Sequence, residues 1–484
     1  MNRKIFIIII FLFALVRFGL PACLCASTIE SPFGASGALS RPFIEDDNIH
    51  SDEVYRRIAA LEKPYLHVQD IAVKWIRPGI DIDWSIVQPS TEDVKEGEFY
   101  WTVLDSVYGT VPLGINILGT INIGNFGSGR GIKPGTWEFV SPQAEKDYIK
   151  FVKTVVRRYK GLVNYWQTQN EPVFITVRED IERGNINLDY SGFSHIQEIT
   201  YNAIKEVDPL AKVALGGLAG GHVFDMQMHV LKNELEGFFI PLLIRLKGKY
   251  VDIFDIHFYG EYEQDWLHDW KKEKVIYDII RRELDRNGFN NTEIWITEIA
   301  VPSVPYGERE QAIALVKRFI YPLSFGVKKI FWWNMIEGEY PLLALRPSNN
   351  HGLVYDGLGE NDPGYAVKKL SYYTYKKMVE ILDGSDLSDV QAIQELDNIY
   401  IYRFRKNSKV ILVAWNESAG PKQVDISGFA STTTLARITE SVPRYGTGKG
   451  VVDYNSVFRV TESKIKLGRL GILLSDIPVF IEEE

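Results

Sequence analysis

The run Val163-Asn164-Tyr165-Trp166-Gln167-Thr168-Gln169-Asn170-Glu171-Pro172 begins as an aromatic-rich strand and ends on a carboxylate beside a proline. Pro172 lacks an amide hydrogen and biases the residue before it away from helix, so the strand stops there in a turn. A second run has the same shape: Glu293-Ile294-Trp295-Ile296-Thr297-Glu298-Ile299-Ala300. Ionised Glu is almost never fully buried without a partner. Carboxylates closing two separate apolar runs therefore predict a site built on Glu171 and Glu298, not a packing role.

Working outward, residues 31–375 alternate short apolar strands with amphipathic stretches, the pattern of a parallel sheet wrapped by helices. The strands read as Ser31–Gly34, Val73–Pro78, Leu113–Gly119, Val163–Glu171, Val213–Gly217, Ile253–Tyr259, Ile294–Glu298 and Lys329–Asn334. Eight is the number of a closed (β/α)8, or TIM, barrel. Helices fit between them. Ser141–Tyr159 has Ser141 as N-cap, Pro142 in the first turn and Tyr148, Phe151, Val152 and Val155 on one face. Phe193–Val207, Lys271–Arg286 and Glu308–Phe325 end before Asp208-Pro209, before Asn287-Gly288 and at Gly326.

Beyond Asp383-Gly384-Ser385 the helical period disappears. Ile399–Phe404, Lys409–Trp415, Lys464–Leu467 and Pro478–Ile481 read as strands, with Lys406-Asn407-Ser408 as a turn. The α/β chain is thus expected to comprise a barrel over 27–383 and an antiparallel β-sandwich over 384–484, packed together since no low-complexity linker separates them.

Residues 1–26 have a different character. Met1-Asn2-Arg3-Lys4 is basic, Ile5–Val16 is apolar and too short to span a membrane comfortably, and small residues follow up to Ala26. This predicts a signal peptide and an exported protein, periplasmic, extracellular or held at the cell envelope. Leu20-Pro21-Ala22-Cys23 also resembles a bacterial lipoprotein box, which would make a lipid on Cys23 the only tie to a membrane. Both cysteines, Cys23 and Cys25, lie in this leader, so the mature chain is expected to be stable without disulfides. The net charge of −9 and the absence of a basic stripe argue against a nucleic-acid partner. Aromatics make up 13% of the chain, which suits amphipathic sugar rings but equally suits a large barrel core.

In such barrels the site lies at the C-terminal ends of the strands. Glu171 and Glu298 end strands four and seven, three units apart around the ring, so both can reach one cavity. Paired carboxylates about 5–5.5 Å apart are the equipment of a retaining glycosidase: one protonates the leaving oxygen and later activates water, the other attacks the anomeric carbon. Asn170 breaks the symmetry, because an amide beside Glu171 could hydrogen-bond the sugar 2-hydroxyl. Glu171 is then the acid/base, with its pKa expected to be raised, and Glu298 the nucleophile.

Trp166–Pro172 resembles the Asn-Glu-Pro signature of clan A, the large clan of retaining (β/α)8 glycoside hydrolases, and Trp295–Glu298 resembles its second motif. The resemblance covers about residues 30–380. It implies the same two roles, an arginine near the nucleophile at Arg77, a strand-six pair at His257 and Tyr259 with the tyrosine bonded to the nucleophile, and an aromatic floor at Trp332 or Trp333. Within the clan the chain looks most like family 39, which includes β-xylosidases and also carries a β-sandwich.

Bland readings exist beside these. Arg77 could pair a structural carboxylate, His257 could be a satisfied core histidine, and one of Trp332 and Trp333 must face the helices. Asp255 could orient His257 or pair with Lys74. Glu337, Glu339 and His351 are further rim candidates, and Trp266 with Trp270 is either a sugar platform or helix core. No metal-ligand spacing and no phosphate loop occur, so neither metal nor cofactor is expected. The resulting expectation is a retaining hydrolase of β-linked oligo- or polysaccharides. Two alternatives remain: a catalytically silent glycan-binding surface protein, and a transglycosylase using the same carboxylates.

Overall fold

The computed structural model describes residues 30–37, 65–88, 98–125, 128–174, 188–219, 234–259, 266–337, 350–355, 362–429 and 434–484. The leader with Cys23, Glu339 and much of the loops 178–189, 260–270 and 337–350 lie outside them.

Eight parallel strands close into a barrel: β1 Phe33–Ser36, β2 Trp75–Arg77, β3 Asn116–Asn122, β4 Tyr165–Thr168, β5 Lys212–Leu218, β6 Ile253–Phe258, β7 Glu293–Ile299 and β8 Ile330–Trp333. Sequential neighbours pair, β1 pairs with β8, and Trp75 and Ile76 opposite Asn116 and Ile117 complete the ring between β2 and β3. A helix follows each strand: α1 Leu66–Ile71, α2 Thr102–Tyr108, α3 Pro142–Tyr159, α4 Tyr190–Val207, α5 Ile240–Leu246, α6 Glu273–Arg286, α7 Glu308–Ser324 and α8 Leu370–Leu382. Ser141 caps α3 as expected, its hydroxyl accepting the Ala144 amide hydrogen. Among the described residues no helix is long and apolar enough to cross a membrane.

The first strand carries Gly34 because of what lies behind it. A side chain there would begin 2.7 Å from the Phe331 ring, so glycine lets the phenyl group fill the barrel under β1. Phe331 belongs to a floor of Trp75, Leu118, Tyr165, Ala214, Ile253 and Trp295, drawn from β2 to β8. Period-two alternation then places Arg77, Thr120, Gln167, Asp255 and Thr297 one step higher on the inner face. The polar residues of otherwise apolar strands are thus stacked above the hydrophobic plug and below the mouth.

The third strand starts three residues later than its apolar run suggests. Leu113 is exposed, in the turn around Gly114, whose φ is +85°.

Eight further strands follow: β9 Gln391–Leu396, β10 Ile399–Lys406, β11 Lys409–Asn416, β12 Lys422–Ser427, β13 Leu435–Glu440, β14 Val460–Lys464, β15 Arg469–Leu474 and β16 Val479–Glu483. They form a six-stranded sheet in the order β9-β10-β11-β16-β13-β14 and a pair β12-β15. Asn407 and Ser408, both at positive φ, make the tight turn between β10 and β11. Lys464–Leu467 is not a strand of its own: β14 ends at Lys464, and Leu467 and Gly468 turn the chain at positive φ.

The edge strands β9 and β14 are mostly exposed, but the central strand β11 is buried on both faces, which explains its unbroken apolar run. Val410, Leu412 and Ala414 join the interior of the sandwich. Ile411, Val413 and Trp415 face the other way and join the core of the barrel. At this seam Trp270 is fully buried, with Tyr321, Tyr400 and Trp415 at ring distances of 5.0, 5.1 and 5.5 Å. Lys317 and Glu417 pair across it at 2.6 Å. Helix α7 is consequently buried on nearly every side.

Candidate active site

The mouth of the barrel brings Glu171, Glu298, Arg77, His257, Tyr259 and Asn170 together. Glu298 receives two charge-assisted contacts: the Arg77 guanidinium donates to Oε1 and the Tyr259 hydroxyl to Oε2. Arg77 also donates from Nη2 to Asn170 Oδ1 at 2.6 Å and from Nε to Thr120 Oγ1 at 3.2 Å. That contact fixes the Asn170 amide with its oxygen toward Arg77 and its nitrogen turned away, as a donor.

Glu171 reaches the mouth through a kink. Beyond Thr168 the chain passes through Gln169 at φ 64° and Glu171 at φ 39°, conformations costing about 1–3 kcal/mol each for side-chain-bearing residues. Gln169 is anchored there, its Oε1 accepting the Ile123 amide hydrogen at 3.1 Å and its Nε2 donating to Gly124 O at 2.7 Å. Two adjacent glycines of β5 make the room. A Cβ on Gly216 would lie 2.6 Å from Gln169 O, and one on Gly217 would lie 2.4 Å from His257 Nε2.

His257 is fully buried between the two glutamates. Its Nδ1 lies 2.6 Å from Glu171 Oε1 and 3.6 Å from Glu298 Oε2, and its Nε2 lies 3.2 Å from Asp255 Oδ2. Burial alone would depress its pKa, but the Glu298 and Asp255 carboxylates outweigh that and push it up to about 10. Burial, reinforced by Glu298, keeps the Tyr259 hydroxyl protonated far above its usual range. Arg77, desolvated but facing Glu298, Asp81 and Asp255, is held more firmly charged than in water. Glu171 and Glu298 are the two most accessible members of the central trio, with side chains 12% and 8% exposed against 0% for His257.

Of the adjacent tryptophans, Trp333 shares the inner face of β8 with Phe331, whereas Trp332 points outward. Trp332 is fully buried in the core with Ile330, its indole donating to His351 O at 3.0 Å. Of the two, Trp333 is therefore the one on the inner face, and Trp332 is a core residue. Trp270 is likewise core, at the seam. Trp266 is half-buried and its ring lies 5.5 Å from His351, which lies 5.7 Å from Tyr259. Glu337 is buried in an ion pair with Lys369, which also donates to Ser303 Oγ at 2.7 Å. Asp255 binds His257 and its neighbours rather than Lys74.

Sequence reading missed the layer beneath the glutamates. Thr120 donates to Gln167 Oε1 at 2.9 Å, and Gln167 donates to Asp255 Oδ2 at 2.5 Å. Asn122 accepts the Asn170 amide hydrogen at 2.9 Å and donates to Asp81 at 2.9 Å. The available signal was parity: polar residues at alternate positions of apolar strands, on the same face as the catalytic candidates.

Glu171, His257 and Glu298 each place one donor atom within 4.8 Å of the others, a spacing that could hold a metal ion. Linear spacing does not reveal this because the three come from different strands. The group's own charges disfavour a cation: Glu298 is already matched to Arg77, and His257 faces Glu171 with a raised pKa.

No protein-family model and no curated protein sequence matches the chain. Solved structures do. A family 39 glycoside hydrolase from Bacteroides cellulosilyticus WH2 aligns with a TM-score of 0.58 and 15% identity, over 94% of this chain and 81% of that one. A glucosidase from Croceicoccus marinus gives 0.58 and 14% identity, covering 94% and 96%. An α-L-arabinofuranosidase from Thermotoga maritima gives 0.58 and 12% identity, also covering 94% and 96%. At these identities the likeness establishes the architecture: this chain has the (β/α)8 barrel with a C-terminal β-sandwich that is found among clan A glycoside hydrolases.

Proposed function

We propose that this protein is a retaining glycoside hydrolase acting on β-linked oligo- or polysaccharides, with Glu171 as acid/base and Glu298 as nucleophile. One observation carries the reading: an oxygen of Glu171 lies within 4.8 Å of an oxygen of Glu298. Retaining enzymes hold their carboxyl groups about 5–5.5 Å apart, whereas inverting enzymes leave about 6.5–9.5 Å for a water. The fold shared with a family 39 glycoside hydrolase, a glucosidase and an α-L-arabinofuranosidase supports the same class.

The residues divide the work. Arg77 and Tyr259 hold and aim Glu298, so its lone pair attacks the anomeric carbon as the glycosidic bond breaks. Glu171 gives its proton to the departing oxygen, then takes one from the water that releases the sugar. The Asn170 amide, oriented by Arg77, is placed to donate to a hydroxyl of the bound sugar. Trp333 offers an aromatic face at the end of β8.

A panel of aryl β-xylosides, β-glucosides, β-galactosides and β-mannosides, followed by oligosaccharides, tests the assignment. Hydrolysis by the wild type, abolished in Glu298→Ala, is the expected result. Wild-type-like turnover in Glu298→Ala, or tight glycan binding with no product from the wild type, contradicts it. We also propose that the chain is exported, on the basic, apolar and small-residue order of residues 1–26. N-terminal sequencing and mass measurement of the mature protein should find residues 1–26 removed, or, for a lipoprotein, a lipidated Cys23 as the first residue; an intact Met1 terminus contradicts export.

A further inference from the structure

Asp255 lies inside the barrel beneath the two glutamates, fully buried. Its Oδ1 accepts the Thr297 amide hydrogen at 3.1 Å. Its Oδ2 accepts from Thr297 Oγ1 at 2.7 Å and from Gln167 Nε2 at 2.5 Å, and faces His257 Nε2 at 3.2 Å. Three donors on two oxygens mark it as an acceptor-only carboxylate.

This fixes the imidazole. The Thr297 hydroxyl spends its hydrogen on Asp255, so toward His257 Nε2, 3.2 Å away, it can only accept. Both groups facing Nε2 are acceptors, and Nε2 therefore carries a hydrogen whatever the charge of the ring. On the other side Nδ1 stands 2.6 Å from Glu171 Oε1. Two lone pairs would repel at that distance, so one proton lies between them, on nitrogen or on oxygen. The other charged and titratable groups around the ring are Glu298, 3.6 Å from Nδ1, with Arg77 and Tyr259 bound to it. Strand β5 contributes Gly217, which brings no charge.

We propose that Asp255 is a positioning residue that keeps a proton on the His257–Glu171 pair, so that the proton Glu171 delivers to the leaving oxygen is stored on His257 Nδ1. The proposal rests on the assignment of Glu171 as acid/base. In the first step the proton passes from Nδ1 through Glu171 to the glycosidic oxygen. The C–O bond breaks with its electron pair going to that oxygen, and a Glu298 lone pair forms the new bond to the anomeric carbon. The pair is left as a carboxylate facing the bare Nδ1 of a neutral Nε2–H imidazole. Their mutual repulsion makes the pair a stronger base for the second step. There, water oxygen bonds to the anomeric carbon, the electrons of the Glu298 bond return to Glu298, and a proton of the water restores the pair.

Nitrogen-15 NMR of the imidazoles, with His257 assigned by the signal lost in His257→Asn, reads the pair directly. The wild-type His257 is expected to titrate well above 6.5, and Asp255→Asn to lower that midpoint by about one unit or more. The basic limb of the kcat/KM profile should fall by the same amount in Asp255→Asn, with the acidic limb in place. A wild-type midpoint at or below about 6.5 overturns the proposal and requires no variant. So does an unmoved midpoint in Asp255→Asn, or a loss of kcat equal at every pH. The titration needs no turnover, so absence of product from every glycoside, which refutes the glycosidase assignment, is distinguishable from an unshifted His257, which refutes the proton store.

Discussion

Replacing Glu171 by alanine should separate the two chemical steps according to leaving group. The carboxyl lies beyond the end of β4, with an oxygen within 4.8 Å of one of Glu298, and is the more exposed of the two glutamates. Alanine removes it while Arg77 and Tyr259 still hold Glu298, and His257 still faces Asp255 and Glu298. General acid catalysis is worth about 10²–10⁴-fold, or about 2.7–5.5 kcal/mol of barrier. A dinitrophenyl glycoside departs as a stable anion and needs no proton, so its first step should fall by less than about tenfold. An oligosaccharide should lose the full factor. Release of the sugar from Glu298 should slow for both, since no base remains to activate water. Azide is a nucleophile that needs no base and fits the vacated space. It should restore turnover of the dinitrophenyl substrate and yield a glycosyl azide of the substrate's own anomeric configuration. Stopped-flow absorbance resolves the burst and the slow phase, and NMR of the product gives the configuration. Equal losses across leaving groups, no response to azide, or an azide of inverted configuration would refute the assignment.

Trp270→Ala should cost about 3–5 kcal/mol, because it empties the seam against Tyr321, Tyr400 and Trp415. Urea unfolding should show this loss, and a cost under about 1 kcal/mol would mean that the sandwich does not depend on this contact. His67 adds an acid sensitivity. Burial, aided by Lys368, depresses its pKa to about 4, so a neutral ring is preferred in the folded state. Stability from this site is complete above about 6.5 and falls as the pH drops toward about 4, by about 2–3 kcal/mol in all. His67→Gln should flatten that part of the stability–pH curve; an unchanged slope contradicts the depressed pKa.

The barrel was legible because its strands are interrupted where the physics requires it. Pro172 marks the turn that follows β4, although the strand itself ends earlier, at Thr168, and the carboxylates of Glu171 and Glu298 close runs that packing alone would leave apolar. Arg77, His257 and Tyr259 were expected at the site only through the resemblance to clan A; taken as residues alone they read equally well as structural partners. Other features depend on contacts between segments remote in sequence. Gly34 reads as a weak strand former until Phe331 is seen beneath it, and Gly216 and Gly217 give no hint of the kink and the imidazole they accommodate. The adjacent Trp332 and Trp333 are equivalent as letters, and only the register of β8 against the barrel floor separates them. Lys369, distant in sequence, pairs with the buried Glu337. The seam was hidden for a similar reason: β11 is apolar on both faces because it covers two cores at once.

The most direct test of the proposed mechanism is the configuration of the first sugar released. Proton NMR of a cleaved β-glycoside, recorded within the first turnovers and before mutarotation, should show the β-anomer, as two displacements through Glu298 require. Initial release of the α-anomer would show a single displacement by water and contradict the nucleophilic role of Glu298.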